Sequence, residues 1–447
     1  MTNLELRTSC FRRWVVTAAL VAPLCLAAPV HAQLRLPGGG LSGLTGDVGR
    51  LQPLRTVEPL LSIVPLQESR QRTVRDLLRN HSDVLEADPA GEPVLRAELL
   101  LVSPDQTTVD AAVARGYRVL HDQILDGLDV RSVVLQPPHG VSTAQGMARL
   151  RALDPQLEVD FNHVYSRSGS VTDAATNAAP SGAGAAPTAR RVGLIDSGVD
   201  GAHPALRAAH LKFWGCDGAL VASAHGTAVA SLLVGREALF SGVVPDARLY
   251  AADVYCGKAT GGSAEAVAQA LAWMARERVA VINISLVGPA NRLLERALRA
   301  LSGKGYLIVA AVGNDGPAAA PLYPASYAEV IGVTGVTTAR RVLPEAAQGP
   351  QVAFAAPGAE LAVAQSGARG YVVARGTSFA SPLVAGLLAE ALQAPDPAAA
   401  RRALRSLSEV ATDLGAPGRD PVYGWGLVGE QARVAPERVH ASARGMP

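Results

Sequence analysis

Short apolar segments alternate with helical segments through the second half of the chain. The segments predicted to be strands are Val192 to Ile195, Arg248 to Val254, Val279 to Leu286, Tyr306 to Val312 and Val330 to Val336. Helices are predicted at His225 to Val234, Ala264 to Arg278 and Asn291 to Leu301. Because parallel strands need crossover connections and are buried on both faces, this alternation predicts an α/β fold with a parallel sheet flanked by helices. In such sheets, functional groups gather at the carboxyl ends of strands.

The motif GTSFASP, Gly376 to Pro382, precedes an apolar segment, Leu383 to Ala394, whose spacing predicts a buried helix. Ser378 is therefore expected at a helix N-terminus, where backbone N–H groups lack intrahelical partners and can face a developing negative charge. Pro382 is expected in the first turn, where its missing N–H is not needed. By itself, a serine in this motif is more often a helix cap than a nucleophile.

Three further polar residues fall where this architecture collects functional groups. Asp196 ends the strand VGLID, His225 opens the helix of HGTAVAS, and Asn314 follows the strand YLIVAAV. A serine nucleophile needs a neighbouring base, and a histidine can accept its proton near neutral pH. An aspartate can orient the imidazole, and an amide can donate to an oxyanion. With Ser378, these residues supply every part of an acyl-transfer site.

The segments VGLIDSGVD, HGTAVAS, AAVGNDG and RGTSFASP resemble the four signature motifs of the subtilisin-like serine proteases, in that family's order of Asp, His and Ser. The segments HPAL, YPASYAEVIGVTGV, FAAPGAEL and YGWGLV extend the resemblance over residues 190–430. It implies a serine endopeptidase that forms an acyl-enzyme intermediate, with Asp196, His225 and Ser378 as the triad and Asn314 as oxyanion donor.

Two other classes stay open. A non-catalytic scaffold of the same fold would bind peptides in its cleft, although the presence of all four residues argues against it. A serine hydrolase acting on esters is disfavoured because the chain has no GxSxG elbow at its candidate serine.

The segment INISLVGP, Ile282 to Pro289, resembles the family's cleft strand, which pairs with the substrate backbone. The resemblance assigns substrate binding to Ser285, Leu286, Val287 and Gly288. Val287 stands where the family usually has glycine, so the cleft is expected to be narrower unless this side chain faces away. Backbone pairing tolerates many sequences, and a broad range of protein or peptide substrates is therefore expected.

Calcium binding is not expected at the site that the family often uses. That site takes an acid after the HP dipeptide and an asparagine-rich loop after the histidine helix, whereas here Ala205 follows HP and the loop LLVGREALFSG has no oxygen cluster. Calcium requires about six to eight oxygen ligands. No metal and no cofactor is predicted, although a calcium site elsewhere in the chain stays open. Ala228 is a second departure, because the family often has histidine there, outside the catalytic set.

A small α+β module of the ferredoxin-like sort is predicted at residues 93–165. Its predicted strands are Leu95 to Val102, Leu128 to Leu135 and a segment around Val159, and its helices are Thr108 to Arg115 and Ser142 to Leu153. By resemblance, this module corresponds to the family's propeptide, an intramolecular chaperone and inhibitor that is later removed. Residues 166–189 form a linker rich in small residues, glycine and proline, and cleavage is expected in or just before it.

The first 32 residues have the layout of a secretory signal. Arg12 and Arg13 precede an apolar run that ends at a small-residue cleavage site, Ala32. This predicts a secreted or periplasmic protein without a stable membrane anchor; Pro23 and Pro29, which interrupt the run, disfavour a permanent span. Residues 33–92 suggest no role, and residues 431–447 are expected to be a C-terminal tail.

The charge balance and the cysteine content limit which partners and which compartment are expected. The chain has 41 basic and 39 acidic residues. This near balance gives no sign of a basic surface that would bind nucleic acid. Removal of the signal would leave two cysteines, Cys216 and Cys256, in an oxidising compartment. They are expected either to pair or to stay as two buried thiols, because sequence alone does not show the distance between their Cα atoms.

Overall fold

A computed structural model describes residues 70–167, 169, 176–177 and 190–440. The predicted secretory signal, most of the linker and the last seven residues of the tail lie outside the described residues. No helix in the described part of the chain is long and apolar enough to cross a membrane.

The N-terminal module is an antiparallel sheet covered by two helices on one face. Its elements are helix α1 (70–80), β1 (Leu85–Ala87), β2 (Pro93–Val102), α2 (Gln106–Val113), β3 (Arg118–Leu125), β4 (Val130–Gln136), α3 (Thr143–Leu153) and β5 (Val159–Arg167). The strand order β5-β2-β4-β3 is that of a ferredoxin-like fold. Helix α3 begins with a capping box, in which Ser142 Oγ accepts the Gln145 N–H and Gln145 Oε1 accepts the Ser142 N–H.

Two elements of the segment without a predicted role belong to this module. Helix α1 covers residues 70–80, and β1 pairs antiparallel with β2. Arg70 forms ion pairs with Glu92 of the module at 2.9 Å and with Asp315 of the larger part at 3.4 Å.

The larger part, residues 190–440, is built on a parallel sheet of seven strands. The strands after the module are β6 (Thr176–Asn177), β7 (Arg191–Asp196), β8 (His210–Trp214), β9 (Val221–Ala222), β10 (Arg236–Glu237), β11 (Phe240–Ser241), β12 (Arg248–Asp253), β13 (Gly262–Ser263), β14 (Val281–Ile284), β15 (Leu286–Val287), β16 (Leu307–Ala311), β17 (Val330–Val336), β18 (Val352–Pro357), β19 (Leu361–Ala364) and β20 (Tyr371–Ala374). The sheet order is β18-β17-β16-β14-β7-β12-β8, with every pair parallel.

Helices cover both faces of this sheet. They are α4 (Ala224–Val234), α5 (Ala264–Arg276), α6 (Arg292–Gly303), α7 (Thr377–Ala391), α8 (Pro397–Glu409) and α9 (Pro436–His440). One apolar core holds α5 and α6 against the sheet, and a second holds α4, α7 and α8 against it. The predicted α/β fold with a parallel sheet flanked by helices is confirmed.

The interpretation of Pro382 was wrong in one respect. Helix α7 begins at Thr377, so Pro382 lies inside it, in the second turn. A proline there removes the backbone hydrogen bond to the carbonyl four residues earlier, that of Ser378. The Ser285 hydroxyl donates to this carbonyl at 3.1 Å, which explains how the helix tolerates the proline.

Candidate active site

Asp196, His225 and Ser378 form one chain of hydrogen bonds. His225 Nδ1 lies 2.9 Å and 3.0 Å from the two carboxylate oxygens of Asp196, and His225 Nε2 lies 3.0 Å from Ser378 Oγ. All three side chains are buried. The bond to Asp196 favours the tautomer with hydrogen on Nδ1, so that Nε2 can accept a proton from the serine.

Three different elements hold these side chains. Asp196 is the last residue of β7, near the centre of the parallel sheet. His225 is the second residue of α4, and Ser378 is the second residue of α7. The two helices pack on the same face of the sheet, which brings their N-termini to the carboxyl end of β7. This is the edge where a parallel sheet collects functional groups.

Ser197 also contacts the Asp196 carboxylate, and the sequence interpretation missed this residue. Its backbone N–H and its hydroxyl both donate to Asp196 Oδ1, at 2.6 Å and 2.9 Å. The Gly226 N–H donates to Ser197 Oγ at 3.2 Å. Ser197 thus connects the carboxylate to the start of α4. Its place directly after the strand-end aspartate was the available signal.

Asn314 lies beside the start of α7. Its Oδ1 accepts a hydrogen bond from the Thr377 N–H at 3.0 Å, and the Gly313 N–H donates to Thr377 Oγ1 at 3.2 Å. Because Oδ1 already accepts from Thr377, the amide nitrogen is the atom of this side chain that can donate to an oxyanion. The Ser378 N–H belongs to the first turn of α7, where backbone donors lack helical partners.

Two of the predicted cleft residues, Leu286 and Val287, pair with the last strand of the module. Strand β5 pairs antiparallel with β15, where Ser166 lies opposite Val287 and Arg167 lies opposite Leu286. On its other edge, β5 pairs with β13. The module therefore places an extended strand between two strands of the larger part, as a bound peptide would lie.

Tyr165 fills a buried pocket in this cleft. Its side chain is fully buried, and its hydroxyl donates to the Pro289 carbonyl at 2.7 Å. A Cβ atom at Gly288 would overlap with the tyrosine ring. Gly288 also exchanges two backbone hydrogen bonds of 2.9 Å with Tyr323. Gly288 thus contributes to the floor of the pocket, and Ser285 supports the helix that carries Ser378.

After the cleft strand, the chain comes close to Ser378 at Gly169. Gly169 has a φ of +147°, and a Cβ atom there would overlap with Ser378 Oγ. A side chain at this position would therefore meet both an unfavourable backbone conformation and the Ser378 hydroxyl.

Asp253 is a second carboxylate near Asp196. It lies opposite Asp196 in the pairing of β12 with β7. Burial raises the pKa of Asp253 above its usual value, and the Asp196 carboxylate adds to the rise, while hydrogen bonds from the Cys256 and Tyr255 N–H groups oppose it. Both N–H groups lie 2.9 Å from Asp253 Oδ1, which fixes the turn after β12.

Cys216 and Cys256 form a disulfide, with their Cα atoms 5.1 Å apart. The bond joins the loop after β8 to the turn after β12. The same two residues and Asp253 make up the potential metal-ligand group found among the described residues. Because the sulfurs are bonded to each other, they do not offer thiolates to a metal.

A comparison with protein families decides what kind of chain this is. Residues 188–426, more than half of the 447 residues, match the model of the subtilase family. The chain belongs to the subtilase family.

Curated subtilase relatives resemble parts of this chain. The minor extracellular protease Epr of Bacillus subtilis is 30% identical over 223 residues, which covers 49% of this chain and 34% of Epr. The thermostable alkaline protease of Halalkalibacterium halodurans is 33% identical over 251 residues, covering 53% of this chain and 65% of that protein. Subtilisin Savinase of Lederbergia lenta is 32% identical over 248 residues, covering 54% and 89%. The chain thus spans less than two thirds of the length of the first two relatives.

A solved structure shares the fold of most of the chain. Fervidolysin from Fervidobacterium pennivorans, described as a keratinolytic enzyme related to subtilisin, aligns with a TM-score of 0.61 and 20% identity. The alignment covers 78% of this chain and 62% of fervidolysin. This coverage extends beyond the residues that match the family model.

Proposed function

We propose that this subtilase is an exported serine endopeptidase. The observation that carries the proposal is the hydrogen-bonded chain of Asp196, His225 and Ser378 at the end of a cleft that holds an extended strand. An antiparallel strand in the cleft is the geometry that a peptide substrate would adopt. The same observation disfavours an esterase, because a small ester has no backbone to pair with β13 and β15.

Each residue has a role in this reaction. His225 Nε2 takes the proton from Ser378 Oγ as the oxygen attacks the substrate carbonyl, and it then gives that proton to the leaving amine. Asp196 holds the imidazole and stabilises the cation that forms. The Ser378 N–H and the Asn314 amide donate to the oxyanion. In the second half of the reaction, His225 Nε2 takes a proton from water as the water oxygen attacks the acyl carbonyl, and it then gives that proton to Ser378 Oγ as the acyl–oxygen bond breaks.

The module acts as an inhibitor of the site that it covers. Strand β5 occupies the cleft and Gly169 lies against Ser378, so substrate and module compete for one place. Arg167 pairs with Leu286 in the cleft, and two residues further along the chain a Cβ atom at Gly169 would overlap with Ser378 Oγ. We therefore assign self-cleavage to the bond between Ser168 and Gly169, which agrees with the expected cleavage in the linker at residues 166–189.

Export rests on the sequence of the first 32 residues, with their basic start and apolar run. The disulfide agrees with an oxidising compartment outside the cytoplasm.

The test compares the purified full-length chain with its Ser378→Ala variant. We expect the wild type to lose the residues up to Ser168, to gain one adduct with a fluorophosphonate and to cleave casein. The Ser378→Ala variant should stay intact, unlabelled and inactive. Ser408→Ala, a serine of α8 at the protein surface, serves as the matched control and should behave as the wild type does.

If Ser378→Ala matches the wild type in all three measurements, Ser378 is not the nucleophile. If neither protein is labelled or active although both bind peptides, the non-catalytic scaffold becomes the correct description.

A further inference from the structure

We infer that this chain recognises arginine at the second residue before the cleaved bond, through the aromatic ring of Tyr255. The inference rests on the proposed function and on the proposed cleavage between Ser168 and Gly169. With cleavage there, Arg167 is the second residue before the bond. The groups that contact its side chain are therefore the groups that would contact the side chain of a substrate at the same position.

Arg167 stands over an aromatic ring of the larger part. Its guanidinium carbon lies 5.7 Å from the centroid of the Tyr255 ring, within the range of a cation–π contact. The same guanidinium donates a long hydrogen bond of 3.5 Å to the hydroxyl of Ser223. The arginine is exposed, so its charge stays hydrated, whereas the tyrosine is only 7% exposed, so its ring is held by packing.

Two sets of bonds fix the position of the Tyr255 ring. The turn that carries Tyr255 is fixed by the hydrogen bonds of its own N–H and of the Cys256 N–H to the Asp253 carboxylate. The disulfide joins Cys256 to Cys216 on the neighbouring loop. Ser223 is the residue before α4, whose second residue is His225. The contact therefore lies beside the catalytic machinery, on elements that do not belong to the module.

The chemistry favours a planar cation. A guanidinium can stack on the ring and donate to Ser223 at the same time, whereas an alanine can do neither. A citrulline keeps the planar shape and some of the N–H donors but lacks the charge. An exposed cation–π contact corresponds to a preference of about twofold to fivefold in kcat/KM.

The experiment uses the mature enzyme obtained from the full-length chain and three quenched peptides that contain Tyr-Ser-Xaa-Ser-Gly, where Xaa is arginine, citrulline or alanine. Fluorophosphonate labelling first counts the active sites. We expect arginine to exceed citrulline by about twofold to fivefold in kcat/KM. Tyr255→Leu should reduce this ratio to about one, and Tyr255→Phe, which keeps the ring, should retain it.

The outcomes separate this inference from the proposed function. Failure of labelling and of cleavage for all three peptides contradicts the proposed function. Normal labelling and cleavage with equal rates for arginine and citrulline overturn the inference alone. An arginine preference that survives in Tyr255→Leu also overturns it, because the charge would then be recognised by another group. If Tyr255→Leu does not fold, the wild type is measured at low and high salt, because salt screens an exposed electrostatic contact. A fall of the arginine-to-citrulline ratio of kcat/KM to about one at high salt supports the inference. An unchanged ratio contradicts it.

Discussion

Asn314 is held to the helix that carries Ser378 by the hydrogen bond from the Thr377 N–H to its Oδ1. This bond fixes the amide before a substrate arrives, so the donor needs little reorganisation as charge develops on the oxyanion. We expect Asn314→Ala to lower kcat by about a hundredfold to a thousandfold with little change in KM, because the lost bond forms in the transition state. Steady-state kinetics on a peptide substrate measure this. Gln351→Ala, which removes an amide elsewhere on the larger part, is the control, and a kcat of Asn314→Ala close to that control would exclude the amide as donor.

Asp253 makes the stability of the molecule depend on pH in a defined direction. Its pKa is raised from the usual value of 3.8 by burial, helped by Asp196. As the pH rises above that value, the unfolded chain ionises at this residue before the folded chain does, so the free energy of unfolding falls. The fall ends once the pH exceeds the raised pKa of the folded state.

We therefore expect Asp253→Asn to remove this loss of stability. An asparagine still offers an oxygen to the Tyr255 and Cys256 N–H groups, but it does not ionise. Relative to the parent, the variant should become more stable between about pH 4 and about pH 7. Urea unfolding in a Ser378→Ala background, which prevents self-digestion, measures the difference. A difference that is the same at both pH values would contradict the assignment to Asp253.

At the scale of elements, side chains of β5 cap the N-termini of two helices of the larger part. Asp160 accepts the Arg292 N–H in the first turn of α6 at 2.9 Å, and Asn162 accepts the Glu265 N–H in the first turn of α5 at 3.2 Å. These N–H groups belong to the first turns of helices and lack intrahelical partners. The module is thus attached through side-chain caps in addition to strand pairing.

We predict that Asp160→Ala releases the cleaved module faster. A lost helix cap costs about 1 kcal/mol, which corresponds to about a fivefold weaker complex. The lag between self-cleavage, followed by mass, and the appearance of peptidase activity should shorten accordingly. Asp154→Ala is the matched control, because that carboxylate accepts the Gln156 N–H within the module. Equal lags in the two variants would mean that the cap does not hold the complex together.

Elements differ in how far the sequence alone predicts them. Strand β16 is predictable because all five of its residues are apolar and buried. Strands β3 and β8 were not predicted, because both lie at the edge of a sheet and their side chains are mostly exposed or half-buried, without apolar periodicity. The Pro382 position was misjudged because the start of α7 depends on the glycine turn before it and on support from Ser285.

In the candidate site, too, some features are predictable from local sequence and others are not. The motifs identify Asp196, His225, Asn314 and Ser378, since each follows or opens a recognisable element. The disulfide and the pairing of β5 with β15 depend on how segments distant in sequence come together, and no local pattern carries that information. Arg167 beside Tyr255 belongs to this second group.

At the scale of the whole molecule, the module and the larger part share one apolar core. The core that contains α5 and α6 also includes Leu100, Leu125, Val130 and Tyr165 of the module. Without the module, this face would meet water and the capped N–H groups of both helices would lose their partners. A parallel sheet also depends on contacts between distant segments, which form slowly. The larger part therefore has an incomplete surface on the side where its cleft must form.

From this we predict that the larger part needs the module in order to fold. A chain that lacks residues 33–168, refolded from denaturant, should recover little peptidase activity, and addition of the separately produced module should restore it. Ser378 labelling counts the correctly folded molecules in each case, and an unrelated protein at the same concentration controls for non-specific protection. Full recovery without the module would mean that the shared core contributes to inhibition and not to folding. Recovery that requires the module would mean that the strand in the cleft and the caps on α5 and α6 first serve to assemble the site that they later cover.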